Sequence, residues 1–255
     1  MPLLYPTPLH ERAAAAVHAF FQDLSVADTV LVVKSCARGT AVAESDLDMA
    51  VLLAPDVSIG AHEQVWHDWL QFRTTSSEVA ELCGFSQFSA MHLELVTGNY
   101  EPQVWDDNGG PDDFDVRIGN DLAFSVVLGL PGAHLQDLRA RWLPFYDDAL
   151  FAQRLEMARA ATIADIDCIR FYVDRGQYLQ AFDRLYKAYR EFLQTLFIAR
   201  KQYPLGYDRF LREQVVDLLG EPEIFQRLIP VLEVEFAGRS IINNGERLRD
   251  LALGV

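Results

Sequence analysis

A pair of aspartates begins an apolar segment in the N-terminal half of the chain. Asp46 and Asp48 are one residue apart in "SDLDMAVLL", a pattern typical of a β-strand. Because alternate residues of a strand point to the same face, the spacing predicts two carboxylates with Cβ atoms about 7 Å apart. Two carboxylates at that distance repel each other unless a cation lies between them. Mg²⁺, which takes oxygen ligands and is often shared with substrate phosphates, is the expected ion.

Small residues precede this strand and predict a loop that can approach a phosphate. The segment "SCARGTAVAES" includes Ser35, Gly39 and Ser45, which let backbone N–H groups come close to an anion. Arg38 adds a planar guanidinium that suits phosphate oxygens. Cys36 is either a reactive thiolate beside Arg38 or a small residue that fills space. Without this loop, an Asp-x-Asp pair is more typical of a β-hairpin with aspartates in solvent.

The combination of loop and aspartates resembles the nucleotidyltransferase signature of the DNA polymerase β superfamily. That signature is Gly-Ser, a spacer of about ten residues, and Asp-x-Asp. In this chain ten residues separate Ser35 from Asp46, and "ARG" and "SDLD" stand where many bacterial members carry the same letters. The resemblance implies nucleotidyl transfer, in which an acceptor hydroxyl attacks the α-phosphorus of a nucleoside triphosphate and pyrophosphate leaves.

The resemblance also implies roles for individual residues. Ser35 would contact the terminal phosphates with help from Arg38, and Asp46 and Asp48 would hold two magnesium ions. The third carboxylate of the family comes from a later strand, and Glu94 in "HLELV" is the candidate. A charge in the middle of an apolar strand supports that role, although an edge-strand glutamate in solvent is the alternative.

Two lysines complete the predicted nucleotide site. Lys34 stands where the signature has glycine, so it either contacts phosphate or marks an impaired site. Lys187 lies on the polar side of a strongly amphipathic helix and could neutralise triphosphate charge if that helix lines the cleft. The alternative for Lys187 is a solvent-exposed ion pair with Asp183 at i, i+4.

Helix and strand patterns alternate in the N-terminal half. Apolar periodicity predicts helices over residues 9–24 and 61–72 and strands over residues 29–33, 46–53 and 88–96. Residues 116–130 are predicted as an irregular strand. Residues 101–113 are predicted as a loop that acts as a lid or a linker. The acidic segment 101–115 is a candidate receptor for a cationic acceptor, with a merely solubilising role as the alternative.

From residue 133 onward the pattern is helical, with helices predicted over 149–173 and 177–201. The fold is therefore predicted to be α+β, with a nucleotidyltransferase domain over residues 1–132 and an all-α helical bundle over residues 133–255. In the first domain, helices would flank a small mixed sheet. The segment "LYKAYREFLQTLFIARKQYP" also resembles the bundle that follows this domain in antibiotic nucleotidyltransferases.

The charge and cysteine content of the chain limit the classes of partner and of site that we expect. The formal net charge of −15 argues against a nucleic-acid or anionic-membrane partner and favours a cationic acceptor. The three cysteines are widely spaced, which predicts neither a disulfide framework nor a metal knuckle. The N-terminal segment lacks the basic region of a signal peptide, and no apolar run approaches the roughly 20 residues of a membrane span, so we expect a cytoplasmic protein.

The sequence thus predicts an enzyme that transfers a nucleoside monophosphate, AMP from ATP, to a hydroxyl of a small molecule such as an aminoglycoside-like antibiotic. Two Mg²⁺ ions are the expected cofactors. One alternative is a nucleotidyltransferase that AMPylates a protein. Another is a non-catalytic binding module in which Lys34 impairs the nucleotide site. A homodimer is also left open, because some members of the resembled superfamily build the active site across a dimer.

Overall fold

The computed structural model describes residues 5–102, 110–235 and 240–255. They form two compact units. The first, here called the sheet unit, comprises Met1–Tyr100 and Arg117–Leu143. The second, the helical unit, comprises Glu101–Val116 and Pro144–Val255. The sequence suggested a single boundary after residue 132, whereas the chain passes between these units three times.

The sheet unit combines a small sheet with short and medium helices. Its strands are β1 (Ala27–Val32), β2 (Leu47–Leu53), β3 (Met91–Val96) and β4 (Val126–Leu128). Its helices are α1 (Pro8–Phe21), α2 (Lys34–Arg38), α3 (Ile59–Thr75), α4 (Ser77–Cys83) and α6 (Ala133–Trp142). Helix α5 (Phe114–Ile118) contains the second passage between the units, and a π-helical segment, Gly119–Ala123, follows it.

The sheet has the strand order β3-β2-β1-β4. β1 is antiparallel to both β2 and β4, whereas β2 and β3 are parallel. A parallel pair needs a crossover connection, which α3 and α4 provide between β2 and β3. The α+β class and the small mixed sheet predicted from the sequence are therefore confirmed.

Strand β2 places Asp48, one of the predicted metal ligands, on the face opposite the core. Leu47, Met49 and Val51 lie in the hydrophobic core, as their alternation predicts, so Asp48 points to the opposite face. Helix α1 covers the core face, and its small residues allow close packing. The helix contributes Ala13, Ala14, Val17 and Phe21 to the core.

The prediction of an irregular strand over residues 116–130 is wrong for its first part. That part is the end of α5 and the π-helical segment, and only Val126–Leu128 forms a strand. Ile118 and Leu122 are both buried at a four-residue spacing, which places them on one face of a helical turn and equally on one face of a strand. The few apolar residues of this stretch are compatible with both helical and strand periodicity. Packing against the rest of the unit therefore determines which structure forms.

The helical unit contains two long helices and several short ones. They are α7 (Asp148–Val173), α8 (Tyr178–Ala199), α9 (Pro222–Leu228) and α10 (Ser240–Leu253), with a π-helical segment at Glu213–Leu218 and a 3₁₀ turn at Ile229–Leu232. The two predicted long helices are confirmed. None of the described helices has an apolar stretch long enough to cross a membrane.

A buried ion cluster joins residues 112–115 to the helical core. Arg154 of α7 donates to both carboxylate oxygens of Asp112, at 2.8 and 3.0 Å, and also to Asp115. Gln194 of α8 donates to Asp112 at 2.8 Å and to Asp115 at 3.2 Å. All four side chains are almost inaccessible to solvent. Because a buried charge is tolerated only when paired, this cluster ties the segment to the two long helices.

The acidic segment 101–115 differs from its sequence-based interpretation at the two aspartates that Arg154 contacts. Asp112 and Asp115 are neither a solubilising surface nor a receptor for a cationic ligand, since Arg154 already holds both. Burial raises the pKa of Asp115 even though Arg154 and Gln194 lower it. Residues 103–109, the rest of the predicted lid, lie outside the described residues.

Glu191 is a second buried acid of the helical unit. Its side chain in α8 is 2 % exposed, and within the described part of the chain its Oε2 atom has no hydrogen-bond partner. Burial, and then the negative charge of Asp165, raise the pKa of Glu191 to about 8.

This shift predicts a pH-dependent stability. The folded state keeps a proton that the unfolded chain loses above its ordinary pKa of about 4.3, so the stabilising contribution is complete below that value. It is lost as the pH rises through about 8. Glu191→Gln keeps the volume and removes the ionisation. We therefore expect it to be more stable than the wild type by about 3 to 5 kcal/mol at about pH 9 and nearly equal to it at about pH 4.

Urea unfolding across this pH range measures the difference. Glu156→Gln, which changes an exposed residue of α7, is the matched control and should follow the wild type at every pH. Parallel pH profiles for Glu191→Gln and the wild type would contradict the prediction.

Candidate functional site: a carboxylate cluster beside strand β2

The loop between β1 and β2 is more regular than predicted. After Val33, five of its residues form the short helix α2, which ends at Gly39. Gly39 has φ 72°, and a Cβ atom there would meet nothing within 4 Å, so glycine is needed for the backbone conformation rather than for space. The N–H of Thr40 donates to the carbonyl of Ser35 at 3.1 Å and closes the turn.

Two buried side chains hold the backbone at Asp46. The ring of His10 lies 2.9 Å from the carbonyl of Ser45 through its Nε2 atom, and Thr7 Oγ1 fixes its other nitrogen at 2.8 Å. The thiol of Cys36 donates to the carbonyl of Asp46 at 3.6 Å. The N–H of Leu47 then enters the sheet by donating to Ala90. The position of Asp46 is therefore set by α1, α2 and β3 together.

Cys36 serves packing rather than nucleophilic chemistry. The residue is buried in the core, and burial, followed by the charge of Asp48, raises the pKa of its thiol to about 11. A thiol with such a pKa stays protonated at neutral pH. Of the two interpretations that the sequence left open, the structure favours the space-filling one.

Lys34 reaches the carboxylates from the start of α2. Its Nζ atom donates to Asp48 Oδ1 at 2.8 Å and lies 3.5 Å from Glu94 Oε1. Partial burial lowers the pKa of Lys34, but the hydrogen bond and charge of Asp48 and the charge of Glu94 outweigh it and leave the pKa above its ordinary value. The ammonium group therefore stays charged between two of the three predicted metal ligands.

The backbone of Lys34 has the conformation that glycine prefers. Its φ is 54°, in the left-handed region that β-carbon-bearing residues rarely adopt. The resembled signature has glycine at this position, so the local backbone follows the signature although the side chain departs from it. A lysine there costs about 1 kcal/mol or more in conformational strain.

Glu94 lies on the neighbouring strand, at the edge of the sheet. β3 is parallel to β2, with His92 opposite Asp48 and Glu94 opposite Ala50. The Glu94 side chain is 62 % exposed, so the alternative of a solvent-facing edge glutamate describes its surroundings, yet its carboxylate also contacts Lys34. On the same strand, His92 Nε2 lies 3.6 Å from Asp46 Oδ2.

Asp121, which the sequence did not suggest, is a fourth acid near this cluster. It is buried in the π-helical segment, and Tyr100 donates a hydrogen bond to its Oδ2 atom at 3.2 Å. Burial raises the pKa of Asp121 to about 6, the charge of Glu94 adds to this, and Lys34 opposes it. Inserted π-turns are frequent at functional sites. The available sequence signal was an acid directly before the apolar residues Leu122, Ala123 and Phe124.

The other residues predicted to bind the nucleotide are divided between the two units. Ser35 and Arg38 are half-buried residues of α2, on the same short helix as Lys34. Lys187 belongs to the helical unit, and its Nζ atom pairs with Asp183 at 2.9 Å, as the i, i+4 alternative predicts. Any role of Lys187 at a nucleotide therefore rests on the resemblance alone.

The donor set suits a divalent cation in part. In the chain as described, no group of three or more histidine, cysteine, aspartate or glutamate side chains is arranged to hold a metal ion. Asp46 Oδ1, however, is buried and has no hydrogen-bond partner among the described residues, which leaves an acceptor oxygen for a cation. Asp46 and Asp48 offer the oxygen ligands that a hard cation prefers, whereas the Lys34 ammonium already lies between Asp48 and Glu94.

Comparisons of this chain with protein-family models, with curated proteins and with solved structures gave no match. The assignment of function therefore depends on the residues and geometry above.

Proposed function

We propose that this protein is a nucleotidyltransferase that transfers a nucleoside monophosphate, AMP from ATP, to a hydroxyl of a small-molecule acceptor. One observation carries the proposal. Asp48 projects from β2 on the face opposite the core, and Glu94 lies on the adjacent parallel strand. Asp46 precedes β2, and its buried Oδ1 atom has no hydrogen-bond partner in the part of the chain that the structure describes. Carboxylates on neighbouring segments of β2 and β3, next to the small-residue loop, support the proposal because phosphoryl transfer uses carboxylates to hold metal ions.

The reaction balances as an in-line substitution at phosphorus. The acceptor oxygen forms a bond to the α-phosphorus, the bond from that phosphorus to the bridging oxygen breaks, and pyrophosphate carries the electron pair away. A carboxylate of the site takes the hydroxyl proton. Asp46 and Asp48 would hold Mg²⁺, which supplies charge stabilisation for the attacking and leaving oxygens.

The chain's own groups position the triphosphate. Ser35, in the first turn of α2, contacts the terminal phosphates, and Arg38 adds a guanidinium on the same helix. His10 and Cys36 keep the carbonyls beside Asp46 in place, so the carboxylate is oriented before substrate binds. The net charge of −15 favours a cationic acceptor, such as an aminoglycoside-like molecule.

A second candidate is a non-catalytic module that binds a nucleotide or a partner without turnover. The contact of Lys34 with Asp48 supports it, because an internal cation can replace the ion that a catalytic site needs. This candidate predicts nucleotide binding that persists without magnesium and no release of pyrophosphate.

Calorimetry with ATP, GTP, CTP and UTP in the presence of Mg²⁺ tests the proposal. We expect Mg²⁺-dependent binding of one triphosphate, which the double change Asp46→Asn with Asp48→Asn abolishes. The matched control, Asp23→Asn with Asp56→Asn, removes two exposed charges from the same unit and should bind as the wild type does. Triphosphate binding that is equally strong in the wild type and in the Asp46→Asn, Asp48→Asn variant would refute the proposal.

A further inference from the structure

The ammonium group of Lys34 occupies a position between carboxylates from two strands. It lies 2.8 Å from Asp48 Oδ1 and 3.5 Å from Glu94 Oε1, and the Asp48 side chain is only 12 % exposed. A cation that bridges an aspartate of one strand and a glutamate of the next does what a metal ion shared by the two would do. Unlike a metal ion, this cation is covalently attached to the chain.

The backbone is strained at Lys34, the residue that carries this cation. Lys34 has φ 54°, where glycine would be unstrained. Strained backbone persists only where the surroundings enforce it, and it concentrates at functional sites. The ion pairs of the side chain are the observed contacts that accompany this conformation.

The charges around the cluster leave room for one further cation. Asp46, Asp48 and Glu94 carry three formal negative charges when ionised, and Lys34 compensates one of them. Among the described residues Asp46 Oδ1 has no hydrogen-bond partner, and Asp46 Oδ2 lies 3.6 Å from His92. Among the described residues, the oxygen that still lacks a partner thus belongs to Asp46, the carboxylate of the three that makes no ion pair with Lys34.

We infer that Lys34 takes the place of one of the two metal ions, so that the site binds a single divalent cation at Asp46 and Asp48. The inference rests on the proposed function, since it concerns the cofactor of that site. Lys34 neutralises the Asp48–Glu94 side of the cluster permanently, and the divalent ion serves the Asp46 side.

Counting bound Mn²⁺ tests the inference without substrate or turnover. Electron paramagnetic resonance measures free Mn²⁺ during titration of the intact protein. We expect one bound ion per wild-type chain and two per Lys34→Met chain, with the first ion bound about tenfold more tightly because a nearby positive charge is gone. Methionine keeps an unbranched chain and a β-carbon, so the backbone strain is unchanged.

Two control variants separate charge from strain. Lys34→Arg retains the cation and should bind one ion. Lys201→Met changes the other described lysine with a positive φ, 50°, which also makes a 2.8 Å ion pair, with Asp148 of the helical unit. This variant should match the wild type in both number and affinity, and urea unfolding of each variant establishes that it is folded.

The outcomes distinguish this inference from the proposed function. Two ions on the wild type, or equal binding by wild type and Lys34→Met, would overturn the role of Lys34 and leave nucleotidyl transfer standing. Failure of both proteins to bind Mn²⁺ would also overturn the inference. Failure of the proposed function itself would be detected in the calorimetry experiment, as ATP binding that is unchanged when Asp46 and Asp48 are replaced.

Discussion

Asp48→Asn is expected to lower the rate of nucleotidyl transfer about 10³-fold, the size of effect seen when one electrostatic group is removed from a preorganised site. Asparagine keeps the shape and one oxygen of the side chain but cannot supply the negative charge that holds a divalent ion. It also removes the negative charge that pairs with the Lys34 ammonium at 2.8 Å. Both effects weaken the same site, so we expect the loss in kcat rather than only in KM.

Pyrophosphate release with ATP and a panel of cationic polyhydroxylated acceptors measures this effect. Glu44→Gln is the local control, because it removes an exposed charge two residues before Asp46. That variant should retain the wild-type rate. An Asp48→Asn protein that is folded and within a few-fold of the wild-type rate would contradict the assignment of Asp48.

Arg154→Met should destabilise the helical unit by about 3 to 5 kcal/mol, since removing one partner of a buried pair leaves an uncompensated charge. Asp112 and Asp115 are both almost completely buried and both accept hydrogen bonds from Arg154. Methionine has a comparable length but offers them no donor. Gln194, which donates to both carboxylates, cannot neutralise either one.

Urea unfolding at neutral pH measures this loss, with Arg170→Met as the control on an exposed position of the same helix. Adding Asp115→Asn to Arg154→Met should recover part of the stability, because one of the two unpaired charges is then absent. If Arg154→Met were as stable as Arg170→Met, the ion cluster would have no energetic role.

The periodic parts of this fold were predictable from the sequence. Leu47, Met49 and Val51 occupy alternate positions of an apolar run that is typical of a strand, so the direction of Asp48, opposite to theirs, could be predicted before the structure. The two long helices were equally clear, because each repeats apolar residues at helical spacing over several turns.

Features that depend on contacts distant in sequence were not predictable. Asp121 lies near Lys34 and Glu94 because of how the π-helical segment packs, and this segment has no sequence signature of its own. Arg154 pairs with carboxylates about forty residues earlier, a contact that composition cannot reveal. Lys34 was recognised as a departure from the signature, but its contact with Glu94 depends on the parallel pairing of β2 and β3.

The interleaving of the two units has a practical consequence for dissecting the protein. Each unit is assembled from two stretches of chain, and residues 101–116 are inserted between the parts of the sheet unit. A fragment that begins at Pro144 would carry the buried Arg154 without Asp112 and Asp115, the two carboxylates that compensate its charge. Splitting this chain at one point therefore yields no complete half, and each unit must be studied within the intact polypeptide.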